Sequence, residues 1–311
     1  MTTKQMQILS GLFGFCVGDA LGVPVEFLPR HSFKEVTGMQ GYGTHNKPPG
    51  TWSDDSSMTF CTVESLCTGY NLQDMKQRFC DWLYEGYWTH DGVHAFDVGI
   101  TTANVLNKLK HSKDAAGEDD AYSNGNGSLM RILPLAFYLE NTNQSNGFHI
   151  IEEVSAITHA HIRSKIACSI YVETARHLLH GLSPSEAYSR MKPIILNYYF
   201  HKRNEEELSH FTRLLHSNIA SYPEETIKSS GYVIHTLEAA FWCLLTTSSY
   251  KKAVLKAVNL GEDTDTVGAV TGGLAGLCYG FDMIPSEWID TIARRKDIED
   301  LAARFAGSLE I

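Results

Sequence analysis

The chain has 311 residues, 43% of them hydrophobic, enough for a substantial core in one large domain or two smaller ones. Its formal net charge is −10, with no Lys/Arg run, which argues against a protein that grips nucleic acid through its phosphates. The seven cysteines are odd in number and form no CxxC, so free buried thiols in a reducing compartment are expected, not disulfides or a zinc site.

Helical periodicity dominates the chain. Met6, Leu9, Phe13, Cys16 and Val17 recur at spacings of three and four and predict an N-terminal helix. Similar stripes predict helices over 56–68, 72–85, 98–110, 128–140, 148–160, 163–180, 184–197, 204–217, 230–246, 250–260 and 265–280. Turn-forming clusters at 38–50, 123–127, 141–147 and 282–286 separate them, and 111–124 reads as a polar loop. Strand alternation is scarce and no long repeat is present, so 1–311 is expected to form one compact all-α domain. The first ten residues lack a signal-peptide core, and the apolar stretches are interrupted by Gly, Asp or His. A soluble, cytoplasmic monomer without a membrane span is expected.

In chain order, the first segment of chemical interest is Gly11 to Gly22, a glycine-punctuated helix carrying Asp19 near its end, with Glu26 shortly after. Helix packing explains the glycines but not Asp19, because an acid near a helix C-terminus opposes the dipole. Ser53-Asp54-Asp55 follows a Pro-Pro-Gly turn and opens a helix. Capping explains one carboxylate, whereas two adjacent like charges repel unless a cation lies between them. In Phe96-Asp97-Val98-Gly99, Asp97 is either a helix N-cap before Ile100 or a functional acid. Ser123-Asn124-Gly125-Asn126-Gly127 is either an ordinary turn or a nest of backbone N–H groups for phosphate, ahead of a helix containing Met130 and Arg131. In Thr158-His159-Ala160-His161, either histidine can hydrogen-bond a phosphate, but no third ligand is spaced for a His-only zinc site. Asp263-Thr264-Asp265-Thr266 opens the last glycine-rich helix with four successive oxygen-bearing side chains, hard donors suited to Mg²⁺ or Mn²⁺.

Gly268, Gly272, Gly273 and Gly276 would let another helix approach closely. If the two aspartate clusters meet, Asp54, Asp55, Asp263 and Asp265 converge, an arrangement that is costly without metal. Two divalent ions about 3.5–4 Å apart would neutralise it and orient a water. The residues alone thus point to a binuclear metal hydrolase of undetermined substrate.

Taken in this order, the segments resemble the ADP-ribosylglycohydrolase family. The resemblance rests on Gly18-Asp19-Ala20-Leu21-Gly22, Trp52-Ser53-Asp54-Asp55-Ser56, Asn124-Gly125-Asn126-Gly127-Ser128-Leu129-Met130-Arg131, Thr158-His159, the Gly231-to-Trp242 helix and Asp263-Thr264-Asp265-Thr266. It implies a compact all-α fold with two Mg²⁺ or Mn²⁺ ions in a cleft, held by Ser53, Asp54, Asp55, Asp263, Asp265 and Thr266. It also implies that Glu26 reaches the metal site, and that Asp19, Asp97, Gly99, Ser123, Asn124, Gly125, Asn126, Gly127 and His159 serve the substrate.

The implied reaction cleaves the bond between C1″ of ADP-ribose and an acceptor side chain, through an oxocarbenium-like state. Asp54, Asp55, Asp265 and Glu26 are the candidate bases. Asp97 matches an acid of the dinitrogenase-reductase-activating member and would hold a guanidinium and protonate its leaving nitrogen. ADP-ribosyl-arginine on protein is therefore the expected substrate. The alternatives are a serine, small-molecule or nucleic-acid conjugate, a non-catalytic ADP-ribose binder, and a metal phosphoesterase. One departure is Glu262, where the family often carries Gly; it is expected to face solvent.

Overall fold

The computed structural model describes residues 2–112, 114–202 and 204–310. Among these residues there is no strand, only isolated bridges such as Gly125 to Tyr232 and Glu118 to His159. The first half contains α1 (Thr3–Gly22), α2 (Asp54–Leu66), α3 (Leu72–Glu85), α4 (Ile100–Leu109), α5 (Pro134–Tyr138), α6 (Gln144–Ala156) and α7 (Ile162–Leu179). It is followed by α8 (Pro184–His201), α9 (Glu205–Ser209), α10 (Thr212–Leu215), α11 (Val233–Leu245), α12 (Tyr250–Val258), α13 (Thr264–Tyr279), α14 (Ser286–Thr291) and α15 (Arg295–Leu309). The all-α expectation holds.

Most predicted helices form, and the departures have local causes. The expected helix over 128–140 is instead a 3-10 turn, Leu129–Arg131, followed by α5. Pro134 has no N–H to give the Met130 carbonyl, and Thr59 of α2 donates to that oxygen at 2.9 Å in its place. The expected helix over 204–217 breaks into α9 and α10, where the Ser209 and Thr212 hydroxyls bond the carbonyls of Glu206 and Ser209. Helix α6 begins inside the expected 141–147 turn because Asn143 caps it. The C-terminal helices were not predicted, although Ile298, Leu301, Ala302, Phe305 and Ala306 form a regular apolar stripe in α15.

The central contact is between α1 and α13, which cross antiparallel through their glycines. A Cβ on Gly14 would lie 2.5 Å from the Gly272 oxygen, and one on Gly18 only 2.1 Å from the Gly268 oxygen. Only glycine permits this backbone-to-backbone approach. Thr3–Val25 is long and apolar enough to cross a membrane by composition, contrary to the expectation that Gly and Asp interrupt it, yet from Ile8 onward it lies buried in the protein. It packs against α12, α13 and α15 as a core helix.

Candidate active site

The tight crossing brings the C-terminal end of α1 to the N-terminal starts of α2 and α13. Thr264 Oγ1 donates to the Gly22 carbonyl at 2.8 Å, fixing the α13 start against α1. Asp19 accepts from Ser53 N at 3.0 Å, Ser56 N at 3.1 Å and Ser56 Oγ at 2.6 Å. Its charge opposes the dipole of its own helix but complements the positive end of α2. Ser53 Oγ is the N-cap acceptor of α2, taking the Asp55 N–H at 3.3 Å. Asp19 and Ser53 therefore meet the capping demand, which leaves Asp54 and Asp55 for other work.

The freed carboxylates converge. Asp55 Oδ2 accepts from Ser53 Oγ at 2.9 Å and from Thr266 Oγ1 at 3.3 Å, linking the two motifs directly. Asp265 Oδ1 takes the Thr266 N–H at 2.9 Å. Asp263 Oδ2 accepts from Asn126 Nδ2 at 2.8 Å, and Asn126 also donates to Thr236. Asp55 Oδ1 and Asp265 Oδ2 are buried without a hydrogen-bond partner among the described residues. Asp19, Asp55 and Asp265 present oxygens within 4.8 Å of one another, as do Glu26, Asp263 and Asp265. The two groups share Asp265, whereas Asp54 belongs to neither.

Burial first, then mutual repulsion, pushes Asp54, Asp55 and Asp265 well above the usual carboxylate range. Burial raises Asp263, against hydrogen bonds that oppose the shift. Glu26 is pushed up to about 11 by burial and the neighbouring Asp97 and Asp263. Asp19 rises only to about 7, because the Ser53 and Ser56 hydrogen bonds offset its burial. This set of acids cannot ionise together unless a cation compensates it. Its orphaned carboxylate oxygens are the hard donors that Mg²⁺ or Mn²⁺ prefers.

A cleft of about 380 Å³ opens over this cluster, lined among others by Glu26, Asp54, Asp97, Gly99, Asn126, His159, Asp263 and Thr266. Gly125 and Gly127 belong to the same wall. A larger hollow of about 660 Å³ beside Lys252 and Lys256 contains none of the aspartates, so volume alone does not select the site.

The glycine-rich loop divides its duties. Asn126 holds Asp263, but Asn124 turns away, bonding the His161 ring and Ser164, while its carbonyl takes the Val233 N–H. Ser123 donates to Asp120 at 2.5 Å and does not line the cleft. Asp19 is likewise buried and does not line the cleft. His161 caps α7, and His159 reaches the cleft.

Asp97 does not cap α4: Gly99 occupies that position, without any side-chain cap bond. The Asp97 carboxylate instead faces Glu26 and lies 4.0 Å from His45 Nε2, which is itself paired with Glu26. His45 is the site residue that sequence reasoning missed. A lone histidine in the 38–50 turn carries no pattern. It arrives there because Gly43, at φ +59°, packs on the Pro24 carbonyl and Thr44 Oγ1 donates to the Glu26 carbonyl at 2.7 Å. Glu262 is exposed, as expected. Its φ of +62° gives a physical reason for glycine in that place.

The ADP-ribosylglycohydrolase family model matches residues 1–310. The chain is 33% identical over 301 residues to the ADP-ribosylarginine hydrolase Tri1 of Serratia proteamaculans (strain 568), covering 94% of this chain and 77% of that protein. It is 28% identical over 299 residues to the ADP-ribosyl-[dinitrogen reductase] glycohydrolase of Rhodospirillum rubrum, covering 94% and 92%. A solved ADP-ribosylglycohydrolase-related protein complex superposes with a TM-score of 0.83 at 30% identity, over 99% of each chain. With the convergent acids and the cleft above them, these likenesses establish that the chain belongs to the ADP-ribosylglycohydrolase family, glycosidic-bond hydrolases that remove ADP-ribose from a modified acceptor.

Proposed function

We propose that this protein releases ADP-ribose from ADP-ribosyl-arginine on protein, with two Mg²⁺ or Mn²⁺ ions in its acid cluster. The observation that carries the acceptor assignment is the placement of Asp97, which leaves α4 uncapped and lines the cleft beside Glu26 and Gly99. An acid on the cleft wall suits a planar cation, because a guanidinium donates charge-assisted hydrogen bonds in a fixed fork. The arginine acceptor named for the Serratia relative supports the same reading.

Ser53, Asp54, Asp55, Asp263, Asp265 and Thr266 would hold the two ions, with Glu26 reaching the site beside Asp263 and Asp265. When bound, the ions supply charge neutralisation and make a coordinated water more acidic. Asp54, Asp55, Asp265 and Glu26 are the groups within the cluster able to accept the proton of the attacking water. Asn126 keeps Asp263 oriented. Asp97 holds the departing guanidinium and returns a proton to its nitrogen.

The test is a panel of peptides carrying ADP-ribose on arginine or on serine, each assayed with Mg²⁺, with Mn²⁺ and with EDTA. Metal-dependent release from the arginine conjugate is expected. Release from serine alone would overturn the acceptor assignment, and binding without turnover in both metals would overturn the catalytic one.

A further inference from the structure

Arg131 is buried completely, with its guanidinium 4.6 Å from the centroid of the Phe79 ring. Its Nη2 donates to the Val154 carbonyl at 3.2 Å and to Thr158 Oγ1 at 2.8 Å, while Nε and Nη1 have no hydrogen-bond partner among the described residues. Thr158 is also fully buried, and its hydroxyl has one further partner among the described residues, His159 Nδ1 at 2.9 Å. A guanidinium only donates, and a hydroxyl has one hydrogen. The Thr158 oxygen therefore accepts from Arg131, and its hydrogen points to His159 Nδ1. Were Nδ1 protonated instead, the Thr158 hydrogen would be buried without an acceptor, at a cost of about 1–3 kcal/mol.

We propose that Arg131, acting through Thr158, fixes His159 as a neutral imidazole whose proton sits on Nε2, so that the cleft is offered a hydrogen-bond donor. The other side of the ring confirms where that donor is aimed. A Cβ on Gly127 would lie 3.3 Å from His159 Nε2 and one on Gly125 3.5 Å from it, so Nε2 abuts the glycine-rich wall of the cleft. The backbone leaves the ring little freedom: His159 N donates to Ser155 O at 2.9 Å and Ser155 Oγ to the His159 carbonyl at 3.1 Å. Burial and the nearby Arg131 charge hold the ring pKa down to about 3, in keeping with a neutral ring.

A neutral N–H donor suits a phosphate or sugar oxygen, and to that extent the ligand rests on the ADP-ribose reading. Arg131 and Thr158 are positioning residues; His159 makes the contact. The donor is selective without being strongly attractive, because a neutral ring adds no charge for inorganic anions to exploit.

The experiment is ¹⁵N NMR of the histidine rings in the full chain with Mg²⁺ at pH 7, with the His159 signals assigned by comparison with His159→Gln. In the wild type, Nδ1 is expected to be an unprotonated acceptor and Nε2 to carry the proton. Thr158→Val should give a mixture of tautomers and weaken ADP-ribose by the inverse of the remaining Nε2–H fraction, about 2-fold for an even mixture. Thr158→Ser should restore both. A wild-type proton on Nδ1, or an unchanged tautomer and affinity in Thr158→Val, would overturn the proposal. The wild-type spectrum decides even if Thr158→Val fails to fold. It is recorded without ligand, so a failure of ADP-ribose to bind would count against the functional reading alone.

Discussion

Gly18→Ala probes whether the α1–α13 crossing sets the spacing of the acid cluster. The new Cβ would lie 2.1 Å from the Gly268 carbonyl oxygen. An ordinary carbon–oxygen contact is about 3.3–3.6 Å, so the helices must part by about 1 Å or bend. The clashing atoms are backbone, and no side-chain rotation relieves them. Overpacking of this kind costs about 1–3 kcal/mol, which in a chain of this size lowers the melting temperature by several degrees. The same displacement moves Asp19 away from Asp265, whose oxygens now lie within 4.8 Å of each other and of Asp55. A misplacement of about 1 Å at a reacting centre lowers the rate about 100-fold. Gly276→Ala provides the comparison: its Cβ would meet the Ser10 oxygen at 2.0 Å, an equal clash about 16 Å along α13 from Asp265. Scanning fluorimetry should show similar losses of stability in both variants. In an ADP-ribose release assay, kcat should fall about 100-fold in Gly18→Ala and only a few-fold in Gly276→Ala. Equal kinetic losses, or a wild-type kcat in Gly18→Ala, would refute the reasoning.

Asp265→Ala should abolish turnover yet keep the helical circular dichroism signal, since it removes a carboxylate that burial and four acidic neighbours disfavour; loss of both would mean that the cluster is structural. Glu262→Gly should raise stability by about 1 kcal/mol in urea unfolding, because it relieves a left-handed φ of +62° at an exposed position. An unchanged midpoint would mean that the strain is not stored there. His159 contributes a pH dependence of defined sign. Its unfolded pKa is near 6.5 and its folded value about 3, so between them the unfolded chain binds more protons and stability falls as the pH falls. The contribution reaches up to about 5 kcal/mol near pH 3 and vanishes above pH 6.5. The raised carboxylates act in the opposite sense, so the readout is the difference between wild type and His159→Gln across pH 7 to 4. The wild type should lose more stability over that range, and parallel curves would contradict a neutral buried ring.

Both aspartate motifs were legible in the sequence because each is local: four or five residues at a helix start announce themselves by capping and by excess charge. The glycines of α1 and α13 announced a close approach, though not that they approach each other. Other readings stayed open for want of distant partners. Asn124 and Asn126 look alike in the chain, yet one is claimed by α7 and the other by Asp263. Asp97 reads equally well as a cap until Glu26 and His45 are seen beside it. Asp19 was legible as an anomaly; that it caps the dipole of α2 could be known only once α2 was placed against α1.

Periodicity, capping residues and glycine spacing by themselves determined an all-α chain with two acidic helix starts, because each depends on neighbours within a few residues. Only tertiary structure decided that the starts meet, which acids share Asp265, and that His45 joins them. Gly22 and Thr264 stand 242 positions apart in sequence but share a hydrogen bond of 2.8 Å. Carboxylate chemistry follows separation in space and loss of solvent, and a helical chain sets both through the packing of its elements.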